Sequence, residues 1–240
     1  MTMRFISMHK ATKDMEAGAP PPPAVMAGMG PLMEEMMKTG IFLAGEGLRP
    51  SAHGVRLTFS GGKRTVTAGP LTGSNELTDR YLIVRVRSID DAIEWATRFA
   101  GADDAEIDVR PVTEPWDLGF MPKPPELTTT RFMILRKANA HSEAGAADFT
   151  AFTSLSIDME RAGVLVSREA LQPSATGVRL RFRGGDCRAI DGPFTESKEL
   201  IAGFSIMQAV SREECIQWAT RFAELIGDIE IDIRPLYEVP

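Results

Sequence analysis

Residues 40–99 of this chain lie over residues 163–222 without a gap. Roughly 45% of the paired positions are identical, well beyond what unrelated segments share. The strongest anchors are Glu46, Leu48 and Pro50-Ser51-Ala52 against Glu169, Leu171 and Pro173-Ser174-Ala175. Gly54-Val55-Arg56-Leu57 then matches Gly177-Val178-Arg179-Leu180, and Trp95 to Phe99 matches Trp218 to Phe222. After a slip of one residue, Glu106 to Pro111 matches Glu230 to Pro235, and at the front Arg4-Phe5 matches Arg131-Phe132. A chain of 240 residues has room for two domains of ordinary size. The repeat therefore divides it into residues 1–112, a linker at 113–130 and residues 131–240. Pro115, Pro122, Pro124 and Pro125 stiffen the linker, and Trp116, Leu118 and Phe120 suit packing along a surface.

Hydrophobic periodicity gives each copy the order β-α-β-β-α-β. In the second copy, Arg131–Lys137 alternates as a strand, and Ala147–Ala162 has helical spacing with Gly163 as its C-cap. Val178, Leu180 and Phe182 alternate with Arg179, Arg181 and Arg183, a half-buried strand with a charged outer face. Gly184-Gly185-Asp186 turns the chain into a hairpin, and Cys187–Asp191 returns. Gly203–Val210 is a strand, Ser211 caps a helix, and Ile229–Pro235 closes the copy. The first copy repeats this, with a proline-rich loop from Gly18 to Pro23 and a methionine-rich helix expected from about Pro31 to Lys38. That order is ferredoxin-like. Such a sheet carries helices on one face only, so its other face needs cover. The fold expected is α+β: two tandem ferredoxin-like units that cover each other as an α+β barrel within one chain.

One segment is chemically distinctive. Asp191 ends a strand, Gly192-Pro193 forces a turn, and Phe194, Glu196, Lys198 and Glu199 follow. A carboxylate near a lysine in an enclosed site can be tuned for proton transfer, which makes Asp191, Glu196 and Lys198 the candidate catalytic residues. The competing reading has Asp191 bonding the turn's own amides. In the first copy Asp191 is matched by Ala68, Glu196 by Gly73 and Lys198 by Asn75, while Gly69-Pro70, Ser74 and Glu76-Leu77 persist. Turn-makers survive there and ionisable groups do not, which shifts weight towards a chemical role for Asp191. Arg136, Glu169, Arg179 and Phe194 are the candidate ligand-binding residues of the second copy. The segment from Asp191 to Phe204, with Glu169 to Pro173 and Glu230 to Pro235, resembles the YCII-related (DGPF-domain) family. The resemblance covers both copies and implies a dimeric α+β barrel of ferredoxin-like units, here fused in one chain, with a pocket near the motif aspartate. Some distant relatives use a His-Asp pair, which is not recognisable here: His9 is matched by Arg136, His53 by Thr176, and His141 sits in a loop.

Net charge is −6, from 27 Lys and Arg against 33 Asp and Glu, which argues against a nucleic-acid partner. No apolar stretch approaches the ~20 residues of a membrane span, and the N-terminus lacks a signal-peptide core. Cys187 and Cys215 both fall in the second copy, which suits reduced thiols in the cytoplasm. No phosphate-binding glycine loop or metal-ligand cluster is present in the sequence, so no cofactor and no metal are expected. The leading reading is a small-molecule-binding protein, in its enzymatic form a cofactor-independent acid–base catalyst of lyase type. The alternative is a non-enzymatic regulatory or interaction scaffold. The partners expected are a small-molecule ligand and, through an exposed face, a second copy of the chain as a homodimer.

Overall fold

The computed structural model describes residues 2–73, 75–101, 104–145, 148–194 and 197–239. In the first copy β1 (Met3–Lys10) leads to α1 (Lys13–Glu16), α2 (Pro23–Lys38) and β2 (Phe42–Gly47). A hairpin of β3 (Val55–Ser60) and β4 (Lys63–Ala68) follows, then β5 (Thr78–Val86), α3 (Ile89–Ala100) and β6 (Ala105–Pro111). The second copy repeats this as β7 (Thr130–Lys137), α4 (Ala140–Glu143), α5 (Thr150–Arg161) and β8 (Leu165–Ala170). It continues with β9 (Val178–Arg183), β10 (Asp186–Asp191), β11 (Ile201–Ala209), α6 (Arg212–Ile226) and β12 (Ile229–Pro235).

Local chemistry sets most boundaries. Ser88 caps α3 by accepting the Asp91 amide at 3.1 Å while Asp91 accepts the Ser88 amide, a reciprocal box. Ser211 caps α6 through the Glu214 amide at 3.3 Å. α2 departs from expectation: it begins at Pro23 and not near Pro31. Proline at a helix start has a φ already suited to the helix and forfeits no intrahelical bond. Pro31 sits inside the helix, which continues through it because Leu32 and Met36 bury their side chains beyond. The short strands β2 and β8, at the sheet edges, were not expected from alternation.

The twelve strands form two antiparallel sheets of six, in the orders β10-β9-β12-β1-β11-β2 and β4-β3-β6-β7-β5-β8. Neither sheet belongs to one copy. In the first, β1 of copy one pairs with β11 (Ile6 opposite Ile206) and with β12 (Ser7 opposite Ile233), both of copy two. In the second, β7 of copy two lies between β5 and β6 of copy one. The sequence repeat is thus not the sheet-forming unit, contrary to the expectation that each copy closes its own sheet. Each copy gives its first two strands to one sheet and its last four to the other.

Alternation along each strand then builds three cores. Phe5, Leu180, Ile231 and Ile233 face α2 and α6 on the first sheet. Leu82, Val84, Ile107 and Ile134 face α3 and α5 on the second. The opposite faces meet in a third cluster, with Ile6 and Met8 of β1, Phe204 and Ile206 of β11, and Ile83 and Met133 of the other sheet. Tyr81 and Phe204 join the two sheets with ring centroids 5.0 Å apart.

Candidate functional site

The motif turn is held by groups that both copies possess. Gly192 lies so close to the neighbouring 3-10 turn that a Cβ there would stand 1.8 Å from the Ser174 carbonyl oxygen. Gly69 has the same relation to Ser51, at 1.9 Å, and both Gly-Pro bonds are cis. Beyond each turn the Ser174 Oγ accepts the Phe194 amide at 3.1 Å, as the Ser51 Oγ accepts the Leu71 amide at 3.0 Å. Each serine hydroxyl donates to a glutamate, Ser174 to Glu143 and Ser51 to Glu16. Glu143 is in turn paired with buried Arg234 at 3.1 Å, and Glu16 with buried Arg110 at 3.0 Å. Asp191 takes no part in this anchoring. Its side chain is 74% exposed and ion-paired with Arg212 at 3.0 Å.

Of the other expected site residues, Phe194 and Arg179 are brought together. Phe194 is buried beneath the Arg179 guanidinium, 4.5 Å from ring centroid to Cζ. Arg179 is itself bound to buried Asp232 at 2.6 Å, and Lys10 reaches the same carboxylate at 3.0 Å. Lys198 is exposed, and its carbonyl lies where a Cβ on Gly73 would stand, 1.5 Å away, so the two motif segments touch. Glu196 lies outside the described residues. Arg136 pairs with Asp79 at 2.9 Å on the second sheet, and Glu169 on β8 pairs with Arg4 at 2.5 Å. The strand exchange explains this separation. β7 and β8 carry Arg136 and Glu169 into the second sheet, whereas β9 keeps Arg179 in the first. Arg136 and Glu169 thus lie in one sheet and Arg179 in the other.

The fold encloses a cleft between the first sheet and its helices. A cavity of about 240 Å³ is lined by Met29, Met33 and Met36 of α2, Trp218 and Phe222 of α6, and His9 of β1. A second space of about 880 Å³ shares His9, Met29, Met33 and Phe222, and extends it under Pro20 to Pro22 and the linker residues Leu118 and Phe120. His9 packs on Phe222, ring centroids 5.1 Å apart. It has room because its strand neighbour is Gly203, where a Cβ would fall 2.6 Å from His9 Cε1. Burial, with the adjacent Lys10 charge, pushes the imidazole pKa down to about 4, so the ring is neutral at pH 7. A neutral imidazole offers one N–H donor and one acceptor. The cleft can therefore seat an apolar molecule and satisfy a hydroxyl or carbonyl at His9, with Ser7, Ser205 and Glu46 also in the lining.

His9 was visible in the sequence only as a histidine without a histidine counterpart, and the methionines of α2 as a cluster suited to core. No periodic signal places them around one space, because β1 and α6 belong to different copies. Among the described residues no group of three or more His, Cys, Asp or Glu is arranged to hold a metal ion. No described helix is long and apolar enough to cross a membrane.

No curated protein matches the chain. The YCII-related domain profile matches it twice, over residues 3–116 and 130–225. Those two spans take in most of the sequence and fall one on each repeat, and the chain belongs to the YCII-related family as a tandem pair of its domains.

Proposed function

We propose that the protein binds a small, largely apolar molecule carrying one hydroxyl or carbonyl, seated against His9. The observation that carries this is the cleft itself: methionine and aromatic walls around a neutral histidine, with Ser7, Ser205 and Glu46 as the other polar side chains of the lining. Mostly apolar concavities with a few directed polar groups are the usual form of small-molecule sites. Flexible methionine walls suit ligands of varied shape. The orders β12-β1-β11-β2 and β6-β7-β5-β8 support reading each sheet as ferredoxin-like with an added hairpin, and the pair as a barrel. A cytoplasmic location is supported by the two unpaired cysteines.

A second reading keeps acid–base chemistry at Asp191. It is favoured by the motif turns, which have matching bonds whether Asp191 or Ala68 precedes them. The carboxylate is then free of a structural duty in the turn. One experiment separates the two. Thermal shift with 1-naphthol, a neutral apolar probe with one hydroxyl, is run on wild type, Met33→Trp and Asp191→Ala. The cleft reading expects stabilisation of wild type and Asp191→Ala and its loss in Met33→Trp. Loss in Asp191→Ala with retention in Met33→Trp would transfer the site to the motif.

A further inference from the structure

The second sheet carries a cavity in the place equivalent to the His9 cleft, with different chemistry. It encloses about 500 Å³ between that sheet, α3 and α5. Phe99, Phe152 and Leu155 form its apolar wall, where Phe222, Met29 and Leu32 stand in the His9 cleft. The polar positions diverge. Arg136 replaces His9 and Arg80 replaces Gly203, and the two arginines face each other across β7 and β5 as His9 and Gly203 do across β1 and β11.

Arg80 is the informative member. Its guanidinium lies over Phe149 at 5.3 Å and Phe152 at 5.8 Å, and its hydrogen bond is to the Asp148 carbonyl at 3.4 Å. Among the described residues it makes no ion pair with a carboxylate, although it is half-buried. Arg136 spends one nitrogen on Asp79, and its buried Nε has no hydrogen-bond partner. Burial lowers the Arg80 pKa, Asp79 partly offsets this, and Arg136 adds to it. In a chain of net charge −6, three arginines line this apolar-walled cavity: Arg80, Arg136 and Arg98, the last already paired with Asp158 at 2.5 Å. Asp148 is the carboxylate in the same lining, and it accepts the Thr150 amide at 2.9 Å.

We infer that this cavity is a second ligand site, which takes a small aromatic or alicyclic carboxylate with its carboxylate on Arg80 and its ring against Phe99 and Phe152. Arginine pairs with carboxylates through a planar fork, and the aromatic wall supplies the remaining contact. The site is independent of the His9 cleft, which selects neutral apolar molecules, so either reading can fail alone.

The test is calorimetric titration with 4-phenylbutyrate and its uncharged analogue 4-phenylbutyramide. A charge-assisted hydrogen bond contributes about 1.5–3 kcal/mol, so the carboxylate is expected to bind at least ~10-fold more tightly than the amide. Arg80→Gln removes that preference. Ala151→Trp, an exposed position of α5 on the cavity wall, blocks the mouth without touching a buried charge and abolishes binding of the carboxylate. Equal affinity for carboxylate and amide overturns the inference, as does an undiminished preference in Arg80→Gln or unchanged binding in Ala151→Trp.

Discussion

Two buried ion clusters, one beneath each motif segment, give a prediction whose sign depends on a difference between the copies. In one, Asp108 binds Arg56 at 2.6 Å and Lys137 at 2.8 Å, and buried Glu76 also binds both cations. In the other, Asp232 binds Arg179 at 2.6 Å and Lys10 at 3.0 Å, but Glu199, the counterpart of Glu76, is exposed. Asp108→Asn therefore leaves Lys137 a carboxylate, whereas Asp232→Asn removes the carboxylate that pairs with Lys10, 2% exposed, among the described residues. Breaking a buried pair by removing one partner costs about 3–5 kcal/mol, so Asp108→Asn belongs near the lower end and Asp232→Asn near the upper. At ~2–4 °C per kcal/mol for a chain of this size, Asp232→Asn should melt lower than Asp108→Asn by about 4–8 °C. Differential scanning calorimetry at pH 7 on the two variants and wild type measures this. Equal melting temperatures, or the reverse order, would refute the idea that the second carboxylate decides the cost.

Two further outcomes follow from the same structure. Because the His9 pKa falls from 6.5 to about 4 on folding, the unfolded chain takes up a proton that the folded one refuses. The stability this histidine permits is complete above pH 6.5 and is lost as pH falls towards 4, by up to ~3 kcal/mol; urea titrations of wild type and His9→Leu at pH 7 and 4.5 should show the larger loss in wild type. Residues 1–116 or 130–240 expressed alone should not yield a folded monomer, since each sheet needs strands of both copies; a monodisperse, cooperatively melting monomer by size exclusion and circular dichroism would disprove this.

The sequence made the repeat, the helix caps and the inward faces of β9 and β12 legible, because each depends on residues close along the chain. Ser211 marks its helix by its own side chain, and Val178, Leu180 and Phe182 declare a buried face by spacing alone. The exchange of strands left no such mark. β1 alternates identically whether its neighbours are β5 and β6 or β11 and β12, and only three-dimensional complementarity chooses. The same limit scattered the expected site. Arg136 and Glu169 end in one sheet and Arg179 in the other. The buried partners Lys10 and Lys137 were equally hidden, since a lysine at a strand end reads as a solvated terminus until Asp232 and Asp108 are brought to it.

Strand exchange also changes what divergence between the repeats means. If each copy closed its own sheet, the loss of Asp191 at Ala68 would mark one pocket as retired and one as working. Each cavity here is built half from one copy and half from the other: His9 and α2 meet Gly203 and α6, while Arg136 and α5 meet Arg80 and α3. Specialising one cavity therefore requires changes in both repeats, and each repeat carries one residue of each pair. His9 without Gly203 would collide with its neighbour's Cβ. Arg136 without Arg80 would leave a single guanidinium already committed to Asp79. The chemically meaningful comparison is thus between these cross-copy pairs, and it describes two cavities of different character.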